Sequence, residues 1–120
     1  LLVGAVGIMN SMYTSVLERT KEIGIMKSIG ARNPDILWIF LIEAGFIGLV
    51  GGVLGTALGS GMALGIGPIA KEAGFPLIVK LEWAVLLFGL LFAFIVGMVS
   101  GILPAYQASK LKPVDALRYE

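Results

Sequence analysis

Residues 36–66 read ILWIFLIEAGFIGLVGGVLGTALGSGMALGI, with Glu43 as their only charge. As one helix this run would be roughly 46 Å long. A bilayer's hydrocarbon core is about 30 Å thick, so such a helix would tilt or project beyond it. Two further apolar runs flank it. Leu1–Val16 carries no charge and falls short of the roughly 20 residues a spanning helix needs. It opens with no initiator Met and no capping residue, which reads as a fragment. No basic region precedes it and no small-residue cleavage site follows, so it does not read as a signal peptide. Trp83–Leu103 is uncharged throughout. The pattern predicts an all-α polytopic membrane protein, with three transmembrane helices over about 1–17, 36–66 and 83–105.

Composition agrees. Of 120 residues, 58% are hydrophobic and 14% charged, and the mean hydropathy is +0.95. Soluble domains carry about 25% charge, and disorder needs low hydrophobicity. A net charge of +1 offers no electrostatic footprint for nucleic acid. With no Cys and no His, thiolate and imidazole catalysis, disulfides and the usual zinc sites are excluded within these residues. No catalytic, cofactor-binding or metal-binding residue is expected.

The basic residues orient the spans. Arg19, Lys21, Lys27 and Arg32 follow the first, and Lys110, Lys112 and Arg118 follow the third. Only Lys71 and Lys80 lie in the remaining loop. The positive-inside rule therefore puts 18–35 and 106–120 in the cytoplasm of a multi-pass cell-membrane protein, and 67–82 outside. Tyr13, Trp38 and Tyr106 lie near the expected inner ends of the spans and Trp83 near an outer end.

The inner connector runs from Glu18 to Asp35. Glu18/Lys21 and Arg19/Glu22 are opposite-charge pairs three apart, which supports a helix. Gly30 is its expected stop, and Asn33-Pro34-Asp35 reads as N-cap, N1 and acidic first turn of the next helix. This short helix either rests among lipid headgroups or presents Ile and Met to a cytoplasmic partner. The outer connector has turn signals at Gly67-Pro68 and Gly74-Phe75-Pro76. In the tail, Pro104 should kink or end the membrane helix, and Pro113 suits the start of a short cytoplasmic C-terminal helix.

Small residues recur at steps of three or four: Ala44, Gly48, Gly51, Gly52, Gly55, Gly59 and Ala63. Ala93, Gly97, Gly101 and Ala105 form a matching series. In lipid, helices associate by close packing, and Gly lets backbones approach. These are expected packing seams, with a Gly-lined substrate groove as the other reading. On the first span, Asn10 and Ser11 could hydrogen-bond to a neighbouring helix. Glu43 is the expected intramembrane acid. It could be neutral, could pair with Arg19 or a polar neighbour near the inner face, or could relay protons.

The connector and tail together carry a resemblance. The residues are Glu18-Arg19-Thr20-Lys21-Glu22-Ile23-Gly24-Ile25-Met26-Lys27-Ser28-Ile29-Gly30-Ala31, then Asp35-Ile36, Phe40-Leu41-Ile42-Glu43-Ala44 and Gly51-Gly52-Val53-Leu54-Gly55. The tail adds Pro104-Ala105, Ala108 and 111–120, including Pro113, Ala116 and Leu117. The chain resembles the FtsX-like permease family, membrane subunits of ABC systems of the MacB and LolC/LolE type. The resemblance implies four transmembrane helices with a large outer domain between the first two, of which these residues match the last three helices. It implies a permease dimer, of two copies or of a copy and a paralogue, that passes ATP-driven motion of a cytoplasmic ATPase to outer domains and their partners. By position, Glu22, Ile23, Gly24, Ile25, Met26, Lys27, Ile29 and Gly30 would be the ATPase-coupling helix. No Walker loop occurs here, so ATP and magnesium would be bound by the ATPase. The competing reading is a proton-coupled carrier using Glu43.

Overall fold

The structure is a computed structural model and describes residues 1–112 and Val114. Five helices follow in order: α1 (Leu2–Glu18), α2 (Thr20–Ser28), α3 (Asn33–Glu72), α4 (Trp83–Ser100) and α5 (Ile102–Ser109). Among the described residues, α3 and α4 are long and apolar enough to cross a membrane. Of the expected short helix from Pro113 onward, all but Val114 lies outside the described residues.

Local chemistry sets the boundaries. At the α1–α2 junction the Thr20 hydroxyl donates to the carbonyls of Val16 and Leu17, at 3.0 and 2.9 Å. Such back-bonding bends helices, and Arg19 stands at the bend. Gly30 ends α2 as expected. Its φ is 107°, Ala31 N–H donates to Met26 O and Gly30 N–H to Lys27 O. That is the Schellman arrangement, which a left-handed glycine makes without strain. The start of α3 is one residue earlier than expected. The Asp35 carboxylate accepts from Arg32 N–H at 3.1 Å, so Arg32 is the N-cap and Pro34 occupies N2.

Two expected breaks move. The turn at Gly67-Pro68 is absent, because α3 continues through Pro68 to Glu72. Proline removes one donor, yet a helix stops where its last carbonyls find new partners. Those partners come at Gly74, with φ 86°, where Phe75 N–H donates to Ala70 O. The third run is interrupted at Gly101, three residues before Pro104. Pro104 lacks the N–H that would reach Ser100 O, and its ring crowds that carbonyl. Pro104 itself is buried in the first turn of α5.

The tightest packing joins α3 to α4, antiparallel. Ala44 meets Gly101, Gly48 meets Gly97, Gly52 meets Ala93, and Thr56 meets Gly89. A Cβ on Gly48 would stand 2.8 Å from Gly97 Cα, and one on Gly97 would stand 3.0 Å from Gly48 Cα. Gly45 belongs to the seam as well, under the Phe94 ring. Gly51, Gly55 and Gly59 do not: a Cβ there would meet nothing within 4 Å. Consecutive GxxxG pairs precess around a helix, so one partner helix covers only part of a run this long.

The side-chain core lies at one end, where α1, α2, α3 and α5 converge. Met12 and Val16 of α1, Ile23 of α2, Ile36, Phe40 and Ala44 of α3, and Ala105 and Ala108 of α5 are buried together. Gly48→Ala should therefore lower stability by about 1–3 kcal/mol through forced separation of α3 and α4. Gly55→Ala should leave stability unchanged or raise it slightly. Thermal unfolding of the two variants in the same detergent checks both.

Candidate functional site

The connector helix α2 has two faces. Thr20, Ile23 and Gly24 are buried, and Met26 and Lys27 are half-buried behind them. Positions 20, 23, 24 and 27 form a helical stripe. The opposite stripe contains Lys21, Glu22, Ile25, Ser28 and Ile29, all exposed. Ile29 is 81% exposed and Ile25 46%. Gly30 stops the helix as the sequence indicated, but the helix begins at Thr20 rather than Glu22, and its apolar residues divide. Ile23, expected at a partner surface, is a core residue packed among α1, α3 and α5. Gly24 is buried beside it, and Met26 packs against the same core. Ile25 and Ile29 remain as the apolar pair open to a partner, with Glu22 on their face.

Lys27 ties α2 to the far end of the chain. Its ammonium donates to the carbonyl of Ser109, the last residue of α5. A cation at a helix C-terminus is favourable because the final carbonyls have no helical partner. Burial lowers the Lys27 pKa below the usual lysine value. Ser109 is itself buried, its hydroxyl donating to Tyr106 O at 2.7 Å. Sequence reading missed this tie because Lys27 and Ser109 are far apart in the chain. Pro104 and Ala108 of the tail motif are buried in α5. Pro113, Ala116 and Leu117 lie outside the described residues.

Glu43 is paired with Arg19. Arg19 Nη1 donates to Glu43 Oε2 at 3.2 Å, with the side chains 50% and 28% exposed respectively. Of the expectations for Glu43, pairing with Arg19 matches this geometry. Such a half-exposed pair contributes about 0.2–1 kcal/mol in water. Its clearer consequence is positional: it joins the α1–α2 bend to α3 one turn from the buried Phe40.

Toward the other end, α1 stands away from α3 and α4, leaving an open apolar cleft of about 530 Å³. Gly4, Gly7 and Ser11 line one wall, and Gly48, Gly51 and Phe92 line the other. Gly51 thus belongs to a cleft rather than a closed seam.

Residues 1–113 match the FtsX-like permease C-terminal family. The chain is 46% identical over 121 residues to an uncharacterized ABC transporter permease of Methanocaldococcus jannaschii, covering 100% of this chain and 30% of that protein. It is 48% identical over 120 residues to the uncharacterized ABC transporter permease YknZ of Bacillus subtilis, covering 100% of this chain and 29% of that protein. It is 50% identical over 120 residues to the macrolide export ATP-binding/permease protein MacB of Bdellovibrio bacteriovorus, covering 100% of this chain and 18% of that protein. The chain therefore spans less than a third of the length of these relatives.

The lowered pKa of Lys27 has a definite sign for stability. The fold disfavours its protonated form, so the unfolded chain holds more protons between the lowered and the usual lysine value. The stability of wild type relative to Lys27→Met should rise as alkaline pH passes through that window, and stay constant below it. Paired melting curves across the alkaline range check the slope.

Proposed function

The chain belongs to the FtsX-like permease C-terminal family, and from that premise we propose that it works as the permease part of an ABC transporter. In this reading a cytoplasmic ATPase binds ATP and magnesium and carries out hydrolysis. The residues described here receive its motion and pass it across the membrane to extracytoplasmic polypeptide. The chain is not itself the catalyst. α1 is a further span, the first of the three in these residues. The connector 18–35 and the tail 106–120 face the cytoplasm, and 67–82 faces outward. The working unit is a dimer, with a second copy or a paralogue, in contact with membrane lipid.

The two-faced burial of α2 supports this reading most directly. Ile25 and Ile29 are exposed, while Ile23 and Lys27 on the opposite face are joined to α3 and α5. A partner that engages the exposed pair moves a packed unit, because the inner face cannot slide without opening the core. Within that unit α3 is one continuous helix of 40 residues, about 60 Å long. Displacement at its first turns is displacement at its far end. The Arg19–Glu43 pair adds a link between the α1–α2 bend and α3. The substrate or outer partner is set by polypeptide beyond these residues.

Ile29→Asp and Ile25→Asp in the full-length protein should uncouple its ATPase. Loss of a central apolar contact costs about 2 kcal/mol or more, roughly thirtyfold in complex affinity. Membrane insertion should be unaffected, and Lys71→Asp, at the far end of α3, should bind the ATPase normally. Pull-down and ATPase stimulation with the purified partner check this; normal stimulation by both Ile variants would defeat the proposal. Topology is checked separately. In a background without other cysteines, Ser28→Cys should react with an impermeant thiol reagent only from the cytoplasm, and Ala73→Cys only from outside.

A further inference from the structure

The carbonyl of Ser109, at the end of α5, is a vacancy that the chain around it does not fill. Continuing the helix would bring it the N–H of residue 113, and residue 113 is proline. Among the described residues no backbone N–H donates to it. Ser109 is 3% exposed, so bulk water does not reach it freely, and its own hydroxyl is directed to Tyr106 O. Lys27 of α2 meets the need: its ammonium donates to Ser109 O. A buried carbonyl without a donor is costly. An ammonium answers it with a charge-assisted bond at the negative end of a helix.

This bond differs in kind from the other attachment of α2. Ile23 lies one turn earlier on the same stripe and is fully buried. Burial of an apolar side chain is non-directional, so Ile23 holds α2 down without fixing its roll about its own axis. A hydrogen bond weakens steeply when misaligned, so Lys27 does fix the roll. Gly24, between them, has no side chain with which to interlock. Load applied at Ile25 and Ile29 falls on the opposite stripe, away from both attachments, and so tends to roll the helix. Lys27 also reaches a different element. Ser109 ends α5, which follows α4 directly across the bend at Gly101. Ala105 and Ala108 hold α5 in the core, and with it the Ser109 carbonyl.

We propose that Lys27 is a positioning residue for coupling: it locks the roll of α2 against α5, so that load received at Ile25 and Ile29 reaches α4 as well as α3. The proposal rests on the reading that α2 receives a cytoplasmic ATPase. Lys27 touches neither the ATPase nor its nucleotide in this scheme and acts through the exposed pair. Connector and tail are then complementary. The tail supplies the proline that leaves a helical carbonyl open, and the connector supplies the cation that occupies it. Without the tie, the ATPase still binds Ile25 and Ile29, and α2 rolls under load instead of passing it on.

The test uses the full-length protein in lipid nanodiscs, titrated with its ATPase. The half-saturating concentration reads docking, and the maximal stimulated rate reads coupling. Lys27→Met should leave the first unchanged and lower the second at least about tenfold, the factor for one hydrogen bond to a charged group. Lys27→Arg keeps a charged donor and should retain the wild-type rate. Spin labels at Lys21→Cys and Gln107→Cys, in a background without other cysteines, read the distance between α2 and α5. Its distribution should broaden in Lys27→Met and stay narrow in Lys27→Arg. A wild-type rate in Lys27→Met, weakened docking in that variant, equal loss of rate in the Met and Arg variants, or an unchanged distance distribution would each overturn the proposal. Normal stimulation by both Ile25→Asp and Ile29→Asp would instead defeat the docking on which it rests, and is read independently.

Discussion

Backbone contact between α3 and α4 is the constraint on which the remaining architecture depends. At Gly48 and Gly97 the two helices approach so closely that neither position has room for a methyl group. In lipid, apolar side chains gain little by leaving one hydrocarbon environment for another, so association depends on contact density and shape. Gly45, Gly52 and Gly101 extend the contact over about two and a half turns of α3. Fixing α4 against α3 also fixes where α5 begins. Gly101 touches Ala44 at the lower end of the seam, and the chain bends there, directing α5 across the first turns of α3. The buried cluster of Met12, Ile23, Phe40 and Ala108 forms in the space that this bend encloses.

The molecule consequently has two kinds of interior. Along the α3–α4 seam it is backbone against backbone, with large side chains turned outward toward lipid. At the convergent end it is an ordinary side-chain core, capped by α2 and α5. α2 has no membrane-spanning length to hold it, so its position depends on Ile23 in the core and Lys27 on the end of α5. Both attachments lie on one stripe, which leaves the opposite stripe for whatever α2 meets. An exposed apolar pair on a firmly held helix is a better receiver of force than the same residues on a free segment. The work of displacement then goes into the bundle rather than into fraying the helix.

Much of this was legible in the sequence, for identifiable reasons. Gly30 and Gly74 sit where a left-handed residue must end a helix, and both signals were read at their positions. The seam between Gly48 and Gly97 followed from spacing. Gly51, Gly55 and Gly59 were placed in the same seam because periodicity cannot say how far around the helix a single partner reaches. The division of α2 was missed for a related reason. Ile23, Ile25, Met26 and Ile29 span nearly half the wheel, and only a tertiary contact decides which of them turns inward. The positions 36, 40 and 44 step by one turn each, and that spacing could have identified the core-facing stripe of α3. At Pro68 a strong breaker was overruled by a stronger stop six residues later. At Pro104 the effect fell on Gly101 because proline disturbs the preceding turn.

The distribution of bends carries the argument furthest. Arg19 and Gly101, the two departures from straight helix between joined elements, lie at the same end as the side-chain core. α3 crosses the whole length without interruption, past Pro68. The principal extent of 68 Å is therefore set mostly by one helix, held by side chains at one end and by glycine contacts along its middle. Motion introduced at α2 would enter α3 where side-chain packing is firmest and leave it where almost nothing else is attached. In the proposed reading, that asymmetry suits transmission from one side to the other, with the far end of α3 as the output.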